Sequence, residues 1–178
     1  MNVSQLEHLI RAAGALLGED TVIVVGSQAI LATAPMVDDE LLTRSMEADL
    51  LPLDDAHGDK ADLIDGVLGA GSSFDELHGY HGDGVSEHTP VLPEGWRDRL
   101  IEHVNDNTNG VRGLCLEAND LVVSKLAAGR EKDLEFCRAA LRERLAEHDT
   151  VVARLGLTEI DPDRRDAITS MLRSWQSG

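Results

Sequence analysis

The stretch from Thr21 to Leu53 constrains the fold more than any other part of the chain. Residues 21–25 are all β-branched, and Gly26 and Ser27 follow them directly. A β-branched run predicts a buried strand, and glycine allows the backbone to turn sharply after it. The apolar residues that follow predict a helix with a break at Pro35, and the apolar segment 46–53 predicts a second strand. The stretch therefore predicts a strand, a tight turn, a helix and another strand.

Glu47 and Asp49 are the two acids of that second predicted strand. Residues two apart on a strand share a face, so both carboxylates should point the same way. The start of the preceding helix offers free N–H groups and a positive dipole end to an anion. Two carboxylates facing an anion site suit a divalent metal held between protein and phosphate. A carboxylate such as Asp49 in an apolar strand is costly to bury unless it is paired or binds a metal.

Composition limits the classes of fold and partner. The chain has 178 residues, of which 42% are hydrophobic and only 3% aromatic, which favours helices packed on a sheet within one compact unit. The formal net charge of −17 disfavours non-specific binding to DNA or other phosphate backbones. A local basic patch could still bind a nucleotide or an RNA end, and simple solvation is the alternative explanation of the acidic surface.

Cellular location is predicted from the cysteines and from the absence of targeting signals. Cys115 and Cys137 are the only cysteines and form no C-x-x-C pair, which favours two buried thiols over a disulfide. No apolar stretch approaches the length of a membrane span, and the first residues do not resemble a signal peptide. We therefore expect a cytoplasmic location and no membrane contact.

Further elements follow from periodicity and turn residues. Residues 3–17 form an amphipathic pattern that ends at Gly18, and residues 99–104 and 111–117 predict a hairpin. Residues 71–95 are interpreted either as a pair of short strands around Leu77 to Val85 or as an ordered loop beside the site. The predicted fold class is α+β, a mixed β-sheet flanked by helices with a helical C-terminal part. Residues 1–118 would form the core, and residues 119–178 a helical region packed on it as one compact unit.

Predicted caps complete this outline. Asp59 and Asn119 would each cap a helix, and the pair Asp161-Pro162 starts the last one.

Histidines in the middle of the chain raise the question of a zinc site. The pair His78-x-x-His81 lacks the helix-borne glutamate of a metalloprotease, and His57 and His88 complete no compact ligand set. We interpret them as histidines of surface loops. A zinc hydrolase built on this region is the least favoured hypothesis.

Three segments together resemble the nucleotidyltransferase superfamily. They are the turn Gly26-Ser27, the pair Glu47-x-Asp49, and residues 120–133, which read Asp-Leu-Val-Val-Ser-Lys-Leu-Ala-Ala-Gly-Arg-Glu-Lys-Asp. More narrowly, the chain resembles uncharacterised bacterial nucleotidyltransferase-like proteins and abortive-infection toxin-like members over residues 5 to 145. The most specific part is Lys-Leu-x-Ala-Gly-Arg-x-Lys-Asp, because a Gly-Ser turn alone is a weak signal.

The resemblance implies a role for each matching residue of the first two segments. Gly26 and Ser27 would bind the phosphates of a nucleoside triphosphate. Glu47 and Asp49 would bind magnesium (or manganese), which aligns the α-phosphate for attack. The first acid is usually aspartate in this superfamily, so Glu47 is a departure. A third carboxylate on a neighbouring strand is also expected, and Asp83 and Glu117 are both candidates.

The third segment supplies the predicted cations. Lys125 matches a helix lysine that pairs with the triphosphate, and Asp133 matches an acid near the same site. Arg130 is predicted to contact phosphate because its planar guanidinium suits phosphate oxygens. The alternative for these three residues and Lys132 is a set of salt bridges at a helix junction.

Two functions remain open at this point. The first is transfer of a nucleotidyl group to an RNA or protein acceptor, with a possible toxin–antitoxin connection. The second is a catalytically inactive binding or regulatory module that keeps the same fold, with an antitoxin or regulator as its partner.

Overall fold

The computed structural model describes residues 1–176, and a five-stranded sheet of order β3-β2-β1-β5-β4 lies at its centre. Strand β1 runs antiparallel to β2 and parallel to β5, while β2 and β3 are parallel and β4 and β5 antiparallel. The strands are β1 (Thr21–Val24), β2 (Glu47–Leu51), β3 (His81–Gly84), β4 (Ile101–His103) and β5 (Arg112–Cys115). The predicted α+β class with a mixed sheet is confirmed, as is the β4–β5 hairpin.

Helices flank this sheet and dominate the chain after β5. They are α1 (Val3–Leu17), α2 (Ile30–Thr33), α3 (Glu40–Thr43), α4 (Asp59–Leu68), α5 (Ser73–His78), α6 (Ala118–Ala128), α7 (Glu131–Arg142), α8 (His148–Leu155) and α9 (Pro162–Gln176). Short 3₁₀ turns lie at Ser27–Ala29, Trp96–Arg99 and Asp106–Thr108. Within the described residues, no helix is long and apolar enough to cross a membrane.

The two faces of the sheet pack differently. One face belongs to the main core, which also contains α1, and its strand residues are Val22, Val24, Ala48 and Leu50. The opposite face carries a smaller cluster built on Ile23, Val25 and Leu51. Glu47 and Asp49 alternate with the buried Ala48 and Leu50 along β2, so both acids lie on the face of the smaller cluster.

Helix α1 forms as its periodicity predicts. Asn2 and Gln5 make a reciprocal capping box at its start, and Gly18 ends it in the left-handed region at φ 68°. Leu6, Leu9 and other apolar side chains of the helix are buried in the main core.

The predictions for residues 71–95 were only partly right. Residues 73–78 form helix α5 rather than a strand, and a single strand, β3, follows. His81 lies within that strand and is partly buried, so its interpretation as a surface-loop residue was wrong.

Two predicted helix caps were also wrong. Gly58 rather than Asp59 precedes α4, and Glu117 rather than Asn119 caps α6, since its carboxylate accepts hydrogen bonds from two backbone N–H groups.

The helices after β5 share the main core with the sheet. Leu121, Ile168 and Leu172 are buried in it. Both cysteines are buried and free, as predicted, and burial raises the pKa of each thiol to about 12.

Candidate active site

Four polar residues lie together on the face of the sheet that carries the smaller apolar cluster. Strands β2 and β3 run parallel, with Glu47 beside His81 and Asp49 beside Asp83. Because the register pairs every second residue on the same face, the side chains of all four project to one side. The predicted pair of acids therefore has a second acid and a histidine as neighbours.

Gly26 brings the turn after β1 into contact with Asp49. A β-carbon at position 26 would lie 1.5 Å from Asp49 Oδ2 and 2.5 Å from its Cγ. Gly26 has φ −82° and ψ −167°, an extended conformation open to any residue. Glycine is therefore needed here for close approach of the carboxylate and not for backbone freedom.

The helix after this turn is shorter than predicted. Ser27–Ala29 form a 3₁₀ turn, and α2 adds only Ile30–Thr33. Among the described residues, no side-chain capping bond involves Ser27. A helix this short has a small macrodipole, so its N-terminus contributes less to anion binding than the sequence pattern predicts.

The junction between α6 and α7 places three charged residues together. Gly129 ends α6 in the left-handed region at φ 70°, and Arg130 precedes the first residue of α7. Lys125 Nζ lies 3.3 Å from Asp133 Oδ1, and Arg130 Nε donates a hydrogen bond to Asp133 Oδ2 at 2.7 Å. The predicted cations and the predicted acid therefore form one group.

Asp133 is the buried centre of this group. Its side chain is 1% exposed, against 13% for Lys125 and 62% for Arg130. Burial alone would raise the pKa of Asp133, but the hydrogen bond from Arg130 and the charges of Lys125 and Arg130 outweigh it and lower the pKa. Asp133 is therefore ionised and fixes both cations.

Asp49 has the opposite electrostatic environment. Burial raises the pKa of Asp49, and the charges of Glu47 and Asp83 raise it further. The charges of Lys125 and Arg130 lower the pKa, but the net shift is upward. Within residues 1–176, neither Asp49 nor Glu47 has a hydrogen bond or ion pair to its carboxylate. Such a carboxylate pair gains stability from any bound cation.

Two adjoining cavities connect the acids with the cations, and Lys125 lines both of them. The first, of about 200 Å³, is lined by Gly26, Asp49, Lys125 and Arg130 together with the apolar Val85 and Leu121. The second, of about 140 Å³, is lined by Ser27, Glu47, Lys125 and Asp133 together with Arg44 and Lys132. Apart from the two candidates for a third carboxylate, every predicted site residue thus lines one or both of these cavities.

Of the two candidates for a third carboxylate, only Asp83 lies beside the acid pair. Its backbone pairs with Asp49 across β2 and β3. Glu117 caps α6 and forms an ion pair with Arg154, so its carboxylate is already occupied by structural contacts.

Sequence reasoning missed three residues near the site. Lys132 lies in the Gly-Arg-Glu-Lys-Asp segment, so the sequence contained a signal for it. No sequence pattern surrounds Arg44, which lines the second cavity because tertiary folding places it there. His81 was assigned to a loop because the segment around it, residues 71–95, is rich in Gly, His, Asp and Ser.

The mixed sheet with flanking helices is compatible with a nucleotidyltransferase-like fold. Residues 4–146 match the sequence profile of a family described as "Nucleotidyltransferase of unknown function (DUF6036)". Because the match covers more than half of the 178 residues, the chain belongs to this family. Comparison with curated proteins and with solved structures gave no match.

Proposed function

We propose that this protein binds a nucleoside triphosphate with magnesium or manganese and transfers its nucleotidyl group to a hydroxyl of an RNA or protein acceptor. The observation that carries the proposal is the pair of adjoining cavities, with unpaired acids on one side and Lys125 and Arg130 on the other. Membership of the nucleotidyltransferase family supports the same reaction class.

The residues at the acid end fit a hard divalent cation. Glu47 and Asp49 supply carboxylate oxygens, which magnesium and manganese prefer. An ion held by these acids would neutralise phosphate charge and favour displacement of pyrophosphate. Gly26 keeps Asp49 close to the turn after β1, because any larger residue would displace the carboxylate.

The cations are the proposed phosphate ligands. Lys125 lines both cavities, so it can contact a phosphate chain that passes from one to the other. Arg130 is exposed enough to reach a ligand, and its guanidinium suits phosphate oxygens. Asp133 holds both cations in place and acts as a positioning residue.

The apolar wall of the first cavity is the proposed contact for the base. Val25, Val85, Val91 and Leu121 lie there beside Asp49. The faces of a nucleobase are largely apolar, so this wall suits them better than the polar second cavity does.

Nucleotide binding is tested by calorimetry with a non-hydrolysable triphosphate analogue. We expect binding that requires magnesium, disappears with a chelator, and is lost in Asp49→Asn. Asp166→Asn is the matched control, since Asp166 is an exposed acid on α9. Equal binding with and without the metal, or by Asp49→Asn, would contradict the proposal.

The acceptor is tested with an α-labelled triphosphate incubated with total RNA or with protein from a lysate. Label in one fraction, dependent on Asp49, identifies the acceptor class. Stable partner binding that survives Asp49→Asn, without any transfer of label, would instead favour the non-catalytic regulatory module.

A toxin-like role is the finer form of the proposal. It predicts that induced expression arrests growth and that Asp49→Asn relieves the arrest. Arrest by both proteins would show that any toxicity is independent of the acid pair.

A further inference from the structure

Strands β2 and β3 bring a histidine into a group of carboxylates. One ligand atom from each of Glu47, His81 and Asp83 lies within 4.8 Å of the other two. His81 Nε2 is 3.8 Å from Asp83 Oδ1. Ligand atoms stand about 2.1 Å from zinc or a similar ion, so two of them can be at most about 4.2 Å apart once bound. Small side-chain rotations would therefore close the three residues on one ion.

The imidazole of His81 is held by a fourth residue outside this group. His81 Nδ1 lies 3.3 Å from Asp75 Oδ1, and the other oxygen of Asp75 accepts a hydrogen bond from Gly71 N at 3.0 Å. An ionised carboxylate only accepts hydrogen bonds, so Nδ1 is the donor in this contact and Nε2 is the ring nitrogen that faces Asp83. A carboxylate that orients the distal nitrogen of a metal-binding histidine is the usual arrangement around such ligands.

We propose that Glu47, His81 and Asp83 bind a divalent transition-metal ion such as zinc or cobalt, with Asp75 orienting His81. The inference rests on the proposed function only in taking Glu47 as a metal ligand. An imidazole nitrogen favours zinc, cobalt or nickel over magnesium, which prefers oxygen ligands throughout. The site therefore selects an ion different from the one that two carboxylates alone would select.

The site is tested on the whole protein without nucleotide, by calorimetry with zinc alone and with magnesium alone. We expect one zinc ion per chain, bound about tenfold or more tightly than magnesium, as expected for an imidazole-containing site. Asp75→Asn should weaken zinc binding by about 10- to 100-fold, as loss of an orienting carboxylate does elsewhere. His81→Ala should weaken it more, while His88→Ala, which removes an exposed loop histidine, should leave it unchanged.

A second measurement identifies the nitrogen ligand directly. Proton NMR of the cobalt-loaded protein should show one strongly shifted, solvent-exchangeable signal from the Nδ1–H of His81. That signal should be absent in His81→Ala and retained in His88→Ala, because the exposed His88 lies outside the group. If His81→Ala does not fold, Asp83→Asn, which keeps the shape of the side chain, tests the same affinity change.

The outcomes separate this inference from the proposed function. Zinc binding that His81→Ala and Asp83→Asn leave unchanged would overturn the inference, even if triphosphate binding with magnesium is intact. Zinc binding that requires His81, in a protein that binds no triphosphate, would uphold the inference and contradict the proposed function.

Discussion

The carboxylate of Asp49 lies against the α-carbon of Gly26, so closely that a β-carbon there would stand 1.5 Å from Asp49 Oδ2. Gly26→Ala should therefore displace the carboxylate while the backbone keeps its extended conformation. We expect a loss of stability of about 1–3 kcal/mol from overpacking. We also expect metal-dependent triphosphate binding to fall by about 100-fold, the usual scale for a misplaced functional group. Calorimetry and urea unfolding measure the two effects.

Gly66→Ala is the matched control for this substitution. Gly66 lies in α4, and a β-carbon there would meet nothing within 4 Å. Alanine should raise stability by about 0.4–1 kcal/mol at such a helical position and leave binding unchanged. Unchanged triphosphate binding by Gly26→Ala would show that the position of Asp49 is unimportant.

The central strands and the helix junction could be predicted because their signals are local. The β-branched run before Gly26 forms β1, and the acids Glu47 and Asp49 alternate with buried residues as a strand requires. The segment that ends at Asp133 folds into two helices around Gly129, where the left-handed backbone favours glycine. These features depend on residues close in sequence.

Strand β3 could be predicted only as one of two alternatives for residues 71–95, because its stability comes from distant contacts. Two of its four residues are glycine, which disfavours a strand. A β-carbon at Gly82 would lie 2.8 Å from Leu50 Cδ1, and one at Gly84 would lie 2.0 Å from the carbonyl oxygen of Ala61. These glycines let β3 pack tightly between β2 and α4, and this packing places His81 beside Glu47.

Helix α8 was not predicted from the sequence, because it too depends on contacts with residues distant in the chain. Its eight residues include two adjacent valines, Val151 and Val152, which weaken the helical pattern. The helix is held by tertiary contacts, since Arg154 pairs with Glu117 and lies 2.9 Å from the buried Asp120.

The pair Lys125–Asp133 allows stability to be separated from function. Asp133→Asn should lower the free energy of unfolding by about 3 kcal/mol, because it leaves the Lys125 ammonium largely buried beside a neutral side chain. The double variant Lys125→Met with Asp133→Leu should recover most of that stability, since apolar residues often replace a buried ion pair without loss. Urea unfolding measures the recovery.

Triphosphate binding distinguishes the two interpretations of this pair. We expect the double variant to remain unable to bind, because its phosphate ligand is gone. Arg130→Gln, at an exposed position, should change stability little and weaken only binding. A stable double variant that binds normally would mean that the pair is a structural salt bridge and nothing more.

Glu7, a buried carboxylate remote from the site, should contribute to the loss of stability at acid pH. Glu7 accepts hydrogen bonds from Asn105 Nδ2 at 2.6 Å and Asn107 Nδ2 at 2.9 Å, and His103 Nε2 lies 3.0 Å away. Burial alone would raise the pKa of Glu7, but these partners lower it below its ordinary value of 4.5. As the pH falls, the unfolded chain therefore takes up a proton at this residue before the folded protein does, and stability decreases.

Glu7→Gln should therefore cost about 2 kcal/mol at pH 7, the scale of hydrogen bonds to a charged group. The difference from the unaltered protein should persist down to the ordinary pKa of 4.5 and shrink as the pH falls further, through the lowered pKa of the folded state. Urea unfolding at a series of pH values measures it. A difference that stays constant below that point would show that the ionised form of Glu7 contributes nothing.

The side chain of Gln28 should lower the free energy of unfolding of this protein. It lies in the 3₁₀ turn after Gly26, is fully buried, and neither atom of its side-chain amide has a hydrogen-bond partner among the described residues. Replacement by methionine keeps the length of the side chain and removes the unpaired polar atoms. Gln28→Met should therefore raise the free energy of unfolding by about 1 kcal/mol.

The same substitution at Gln5 should lower the free energy of unfolding rather than raise it. Gln5 Oε1 accepts a hydrogen bond from Asn2 N at 2.8 Å in the capping box of α1. Gln5→Met loses this bond and should lower stability by about 0.5 kcal/mol, because the bond is exposed to water. A destabilised Gln28→Met would contradict the prediction made for Gln28. If Gln28→Met folds normally but no longer binds triphosphate, the amide of Gln28 takes part in ligand binding. The bound nucleotide would then be the first ligand to test, because Gln28 follows the turn that contacts Asp49.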